Sequence, residues 1–476
     1  MSESIAETIL PGTYIEVRAE GLIGVGSIAT GNIGIVGTAA RGPRNQVVPL
    51  GGFAEAIDAF GAYDAASTTN ALTLVRALEL AFRGGARDVY AVRIANGDPV
   101  RASTMVKAPA DADAFRITAK DAGTYGNAIR YSVVTEGPTG SPTFKLTLTY
   151  RNVKEVYSGG NVGAIQPQLA ASRLVDAGSI ATGAANLGLA PVDPAAALGA
   201  GTGNTPGTDL ANVSNVDVAA GLAALENQPI NILVVAGMGS DTVRGVVADH
   251  LERTENEGRE RIAVLGPPTA GSNSDFSDVS DEADAIVDDR IALVAPGVRA
   301  VDASTGQTVS LPPPYLAALI AGKLATVAPH VSLTNKTVPV DDLDVHYSTT
   351  VYKNLLQRRV LLVRKKFGFQ VVRGITTDNG AFKQVSVRRI VDYAKAGVRL
   401  GSDPYIGRLN NARVRAALKA TLDGFLSQMV LDEMLVSYEL EVTATRSEEI
   451  QGIARVTMTL RPTFSIDFIR VTMNLQ

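Results

Sequence analysis

Cysteine and tryptophan are absent from this 476-residue chain, and only three histidines occur. Without cysteine there can be no disulfide, no thiolate nucleophile and no cysteine-bearing metal site. His250, His330 and His346 lie far apart and form no HExxH or paired-ligand spacing, so each reads as an ordinary surface or satisfied histidine. No run of 18 apolar residues occurs, and the richest stretch, INILVVAGMG at 230–239, is too short to span a bilayer. The opening MSESIAETILPG has no basic segment followed by an apolar run, so no secretory signal is expected. Neither sign of charge dominates: 44 Lys and Arg against 48 Asp and Glu leave a net −4. That balance excludes a strongly basic nucleic-acid coat and an acidic disordered tail.

With aromatic residues at only 5%, Val, Ile, Leu and Ala must build the cores, while 46 Gly imply many turns and some close backbone packing. The length suggests roughly three domains. Residues 31–99 read as strand, helix, strand: Ile33–Val36, a helix through Phe53, Ile57 and Phe60, a second helix with Leu72, Val75, Leu78 and Phe82 that Asn70 could cap, then Val89–Ile94. The same alternation resumes at 211–339, with strands at 230–235, 261–265 and 291–294 and helices at 218–225, 242–253, 281–288 and 315–325. Strands so apolar on both faces are expected in a parallel sheet with helices on each side. Between them, 100–210 reads as an inserted β-rich domain whose Gly- and Ala-rich later half forms a loosely packed return path. Residues 340–460 form a further α/β domain, with a strand–turn–strand about Gly368, helices over 385–394 and 414–429, and a hairpin from 435–445 and 453–460.

No pattern for catalysis or cofactor binding stands out. GNIGIVG at 31–37 lacks GxGxxG spacing, Gly322-Lys323-Leu324 lacks the glycine-rich approach and hydroxyl of a P-loop, and no GxSxG occurs. An α/β sheet alone supplies no chemistry, so no catalytic residue, cofactor or metal is expected, and a hydrolase is the weaker alternative. Two charge features remain: acidic Asp275, Asp278, Asp281, Glu282, Asp284, Asp288 and Asp289, and basic Arg358, Arg359, Arg364, Lys365 and Lys366 around VLLV. Each is either a solvated rim or a complementary contact inside an oligomer. Nucleic acid is disfavoured by the scarcity of interleaved aromatics.

The chain ends carry strands with no obvious home. Thr13–Val17 alternates after the Pro11-Gly12 turn, and Ile469, Val471, Met473 and Leu475 alternate with polar residues at the other end. A lone strand cannot offset its ordering cost, and its backbone groups need an edge to pair with. Gly12, Tyr14, Ile15, Val17, Ile469, Val471, Met473 and Leu475 are therefore candidate inter-subunit arm residues.

At this point the chain resembles a known family. PGTYIEV at 11–17, GIVGTAARGP at 34–43, AFRGGARDVYAVRI at 81–94, VAPG at 294–297, PPPYLAALIAGKLA at 312–325 and the C-terminal LEVTATRSEEIQGIARVTMTLRPTFSIDFIRVTMNLQ together resemble contractile tail sheath proteins of bacteriophages and phage-tail-like injection systems. The resemblance is weakest at 100–210. It implies a subtilisin-like core without protease activity, an outer insertion, a C-terminal domain that faces an inner tube and other subunits, and arms at 1–30 and 461–476. It further implies stacked six-membered rings around an inner tube, with baseplate and terminator or cap proteins as partners. Assembly in the cytoplasm and contraction that drives the tube through a membrane also follow from it, without nucleic-acid contact or stable membrane insertion. A static filament or shell is the other structural alternative.

Overall fold

Ile33–Val36, Ile232–Val235, Ile262–Leu265 and Ile291–Ala295 have every residue buried, so the strands they form need cover on both faces. The computed structural model describes residues 28–62, 72–138, 140–302 and 305–475, which divide into two compact units. The larger comprises 31–327 and 333–381; the smaller comprises 28–30, 328–332 and 382–475 of the described residues.

The larger unit begins with β1 (Ile33–Gly37), β2 (Val47–Leu50), α1 (Phe53–Phe60), α2 (Leu74–Gly84) and β3 (Val89–Arg93). Asn70 lies outside the described residues; Thr73 precedes α2, and its hydroxyl and that of Thr38 each accept the other's backbone N–H, at 3.2 and 3.1 Å.

An insertion follows: β4 (Ser103–Lys107), β5 (Asp113–Ala119), β6 (Arg130–Glu136), β7 (Thr143–Tyr150), β8 (Val153–Gly159), α3 (Val162–Ile165), β9 (Val175–Ala177) and β10 (Val192–Ala197). It forms two antiparallel sheets, β10-β6-β7-β8 and β4-β5-β9. The expected loose return path is not found. Val162, Ile165, Leu169, Val175, Leu189 and Leu198 are all buried in the same core as Phe115, Ile117 and Leu146. Scattered single apolar residues, invisible as a periodic pattern, each plug the β core. Arg93 ties the insertion to the sheet: its buried guanidinium donates to the carbonyls of Gly42 and Ala122, both at 2.7 Å.

The chain then returns through α4 (Asn215–Leu225), β11 (Ile232–Val235), α5 (Ser240–Asn256), β12 (Ile262–Leu265), α6 (Ser277–Ala285), β13 (Ile291–Ala295), β14 (Val298–Val301), β15 (Thr308–Leu311), α7 (Pro313–Ala325), β16 (Asp342–Leu343), α8 (Thr349–Gln357), β17 (Leu361–Lys365) and β18 (Phe369–Val371). Eight strands form the main sheet in the order β18-β17-β13-β12-β11-β1-β3-β2. The inner six are parallel, and β18 and β2 close the edges antiparallel. Val36, Leu233, Val235 and Leu293 face α4, α5 and α8 in one core, while α2 and α7 cover the other face. Because β17 and β18 extend this sheet, the expected boundary at 340 moves to about 382. The strand–turn–strand about Gly368 reads as a hairpin in isolation, and only its pairing with β13 assigns it to the sheet.

The smaller unit contains α9 (Val385–Ser402), α10 (Ala412–Leu431), β19 (Leu435–Thr443), α11 (Arg446–Ile450) and β20 (Arg455–Pro462). β19 and β20 pair antiparallel, with Tyr438 opposite Leu460 and Val442 opposite Val456. Thr445 and Glu448 cap α11 reciprocally, which fixes the connection between the strands.

Candidate assembly surfaces

Alternation defines the β19–β20 ribbon. Tyr438, Leu440, Val442, Val456 and Leu460 pack toward the helices, against Leu418, Leu422 and Leu426 of α10 and Ile390 of α9. Glu439, Glu441, Arg455 and Arg461 point outward. The ribbon has only two strands, so both outer edges lack a strand partner among the described residues. Two helices side by side span about 20 Å, whereas two strands cover about 10 Å. The helix layer is therefore wide enough for about two more strands.

The C-terminal residues beyond β20 are expected to form a strand only once a partner edge outside the subunit is supplied. No strand is assigned over 463–475, and Ile469, Val471, Met473 and Leu475 are 72–100% exposed. Strand structure requires pairing, and among the described residues the segment pairs with no edge. Its start is anchored: the Gln384 side chain accepts from Ser465 N–H at 3.0 Å and donates to Ser465 C=O at 3.2 Å. Thr463, Ser465 and Asp467 are half-buried, whereas Phe464, Ile466 and Phe468 are exposed. The apolar face thus points away from the home unit. These three residues escaped the sequence reading, although their period of two was available to it. Gly12, Tyr14, Ile15 and Val17 lie outside the described residues.

The five basic candidates do not form one patch. Arg358 pairs with Asp284, and Arg359 donates to Ala283 C=O at 3.2 Å and to Asn379 Oδ1 at 2.5 Å. Both therefore tie the end of α8 to α6 in the same chain. Arg364 and Lys365 lie on β17, with the Lys365 ammonium 5.5 Å from the Phe369 ring centre. Lys366 sits at the hairpin tip beside the exposed Phe367. The acidic segment is likewise partly satisfied at home. Glu282 is buried and accepts from Ser240 Oγ at 2.8 Å and Arg244 at 2.5 Å, and Asp278 accepts from Thr269 at 2.7 Å. Opposite charges remote in sequence thus met across a helix pair, which composition could not reveal. Helix α6 also begins at Ser277 rather than 281, where Asp275 accepts the Ser277 N–H at 3.1 Å.

His250 is fully buried in α5, with Nε2 2.6 Å from Arg261 Nη1. Arg261 also donates to the carbonyls of Leu225, Glu226 and Gln228 at 2.7–3.0 Å, closing the C-terminal end of α4. Burial, reinforced by Arg261 and Arg253, pushes His250 down to about 4. The pair is a packing device within the fold. Among the described residues no group of three or more acidic or histidine side chains could hold a metal ion, and no helix is long and apolar enough to cross a membrane.

The covered parallel sheet, its β insertion and the helix–ribbon unit together make the fold of tail sheath proteins. The sheath tail protein from Desulfitobacterium hafniense is similar with a TM-score of 0.69 at 18% identity, over 95% of this chain and 100% of that one. The anti-feeding prophage helical sheath in its contracted state is similar with a TM-score of 0.58 at 15% identity, over 98% of this chain and 99% of that one. Residues 211–377 match the phage tail sheath protein central domain, and 377–476 match the phage tail sheath C-terminal domain, together more than half of the chain. The chain belongs to the phage tail sheath family. It is 24% identical over 253 residues to the tail sheath protein of Mycobacterium phage Bxz1, a match covering 50% of this chain and 42% of that relative's length.

Proposed function

We propose that this chain is the repeating structural subunit of a contractile sheath, polymerised as stacked hexameric rings around an inner tube and contracting to drive that tube through a target membrane. Baseplate and terminator or cap proteins would bound the assembly, which forms in the cytoplasm. The α/β unit serves as a rigid subtilisin-like body rather than as an enzyme, and no cofactor enters the cycle. The observation that carries this reading is the ribbon, without a strand partner at either edge among the described residues, beside a C-terminal segment that turns its apolar face away from home. Strand addition between copies would satisfy both with main-chain hydrogen bonds. The arms at 1–30 and 461–476 would hold neighbours together while rigid bodies rotate, so rings could widen without coming apart. Lys365 and Lys366, with Arg364 on the same strand, are proposed to steer contacts between rings, whereas Arg358 and Arg359 are engaged by α6 and Asn379 at home. A difference of a few kcal/mol per subunit between long and short lattices, summed over many copies, would make contraction irreversible.

Electron microscopy of the purified protein tests the reading. Hollow striated tubes are expected; monodisperse single subunits at assembly concentrations would overturn it. Deleting residues 1–20 should leave a folded subunit unable to build a contractile lattice, and contracting particles from that variant would count against the arm's role. Val471→Asp separates folding from assembly. Because Val471 is 72% exposed in the single chain, the thermal midpoint should stay unchanged. Once the strand is docked, the buried charge should cost about 3 kcal/mol per contact, read as at least a tenfold rise in the critical assembly concentration.

A further inference from the structure

The apolar residues of the C-terminal segment change parity once. Phe464, Ile466 and Phe468 occupy even positions, whereas Ile469, Val471, Met473 and Leu475 occupy odd ones. Successive side chains of a regular strand point to opposite faces, so a regular strand over 464–475 would put three apolar groups on one face and four on the other. Only one face of a strand added to the β19–β20 ribbon lies over helices. The first half already has its orientation, with Gln384 gripping the backbone of Ser465 and Phe464, Ile466 and Phe468 turned outward.

The segment also carries no strong hairpin signal that would return it to its own ribbon. It leaves β20 at Pro462, and the residues that follow, TFSIDFIRVTMNLQ, contain no glycine, no further proline and no Asn-Gly or Asp-Gly pair. Its twelve residues from 464 to 475 suffice to line a ribbon edge, since β19 has 9 residues and β20 has 8. The fitting occupant is the ribbon edge of a second copy of this chain.

Resting on the strand-addition reading above, we infer that the segment docks as a bulged strand, with Phe468 and Ile469 together opposite one residue of the neighbour's edge. A two-against-one bulge absorbs one extra residue and resets the alternation beyond it. All seven apolar side chains then share the face over the neighbour's helices. Arg470, Thr472 and Asn474 join Thr463, Ser465 and Asp467 on the other face.

Single-residue length changes in the full chain test this. Assembly is followed by sedimentation and electron microscopy, with thermal unfolding as the control for folding. Four variants are compared with the unmodified protein: removal of 463–476, Ile469→Ala, deletion of Ile469, and one alanine inserted between Phe468 and Ile469. Deleting Ile469 removes the extra residue but keeps the register on both sides. It should therefore assemble within about threefold of Ile469→Ala, which loses the same side chain. The insertion also spaces Phe468 and Ile469 two apart, so a regular strand again carries all seven apolar side chains on one face, and it should assemble within about tenfold of the unmodified protein. A folded Ile469 deletion that assembles more than about tenfold worse than Ile469→Ala would overturn the bulge, as would an insertion that assembles more than about tenfold better than the unmodified protein, because the distal half would then not have been docked before. Normal assembly without 463–476 would instead overturn strand addition itself, and the bulge with it.

Discussion

Gly322→Ala is expected to destabilise the larger unit by about 3 kcal/mol, lowering its thermal midpoint by roughly 4 °C. Helices α2 and α7 cross with backbone against backbone. A Cβ at Gly322 would overlap the Ala81 carbonyl oxygen and sit 3.1 Å from Gly84 Cα, and one at Gly84 would overlap the Leu319 carbonyl and sit 3.0 Å from Lys323 N. Those are main-chain atoms, so no rotamer change can make room. The helices must separate, and both lie on the same face of the main sheet. Gly245→Ala is the matched control. It lies in α5 with nothing within 4 Å of its Cβ position, and the better helix propensity of alanine should stabilise by up to about 1 kcal/mol. Denaturant titration of the two variants should move in opposite directions. Equal behaviour would mean the crossing is not tight.

The second large effect is acid sensitivity centred on His250. Arg261 is a permanent donor, so His250 Nε2 accepts and the ring is neutral. Arg253, Arg259, Glu226 and Glu257 are the other charges acting on this pair. The His250 pKa falls from 6.5 to about 4 on folding, so between those values the unfolded chain binds more protons than the folded one. Stability from this group is complete above pH 6.5 and is lost progressively as the pH falls toward 4, by about 3 kcal/mol in total. Unfolding free energies of the unmodified protein and His250→Gln, measured from pH 7.5 to 4.5, should converge as the pH drops. The comparison cancels the carboxylates common to both. Parallel curves would remove His250 from the acid response.

Much of the architecture was legible from local pattern. The runs at 33–36, 230–235, 261–265 and 291–294 are apolar without interruption, which occurs when both faces of a strand are covered. PPP before 315–325 marked the start of α7, since proline is suited to a first helical turn. Ordered words such as AFRGGARDVYAVRI and PPPYLAALIAGKLA carried the family resemblance, and Gly84 and Gly322 within them proved to be the two sides of one helix crossing.

Other features depended on contacts between distant residues. The core of the insertion is closed by single apolar residues from a glycine-rich stretch, and a lone Leu189 or Leu198 has no period to detect. Asp284 and Arg358 are remote from one another in the chain, and His250 and Arg261 lie on different elements, so no local pattern could pair them. The terminal strand is the inverse case. Its alternation was plain in the residues, yet it remains without strand structure in the single chain, because a β-strand is completed only by the edge it pairs with. Periodicity and turn chemistry are local properties, and they settled the elements and the order of the sheet-forming segments. Pairing, burial and charge neutralisation are properties of groups brought together in space, and only the folded chain decided them.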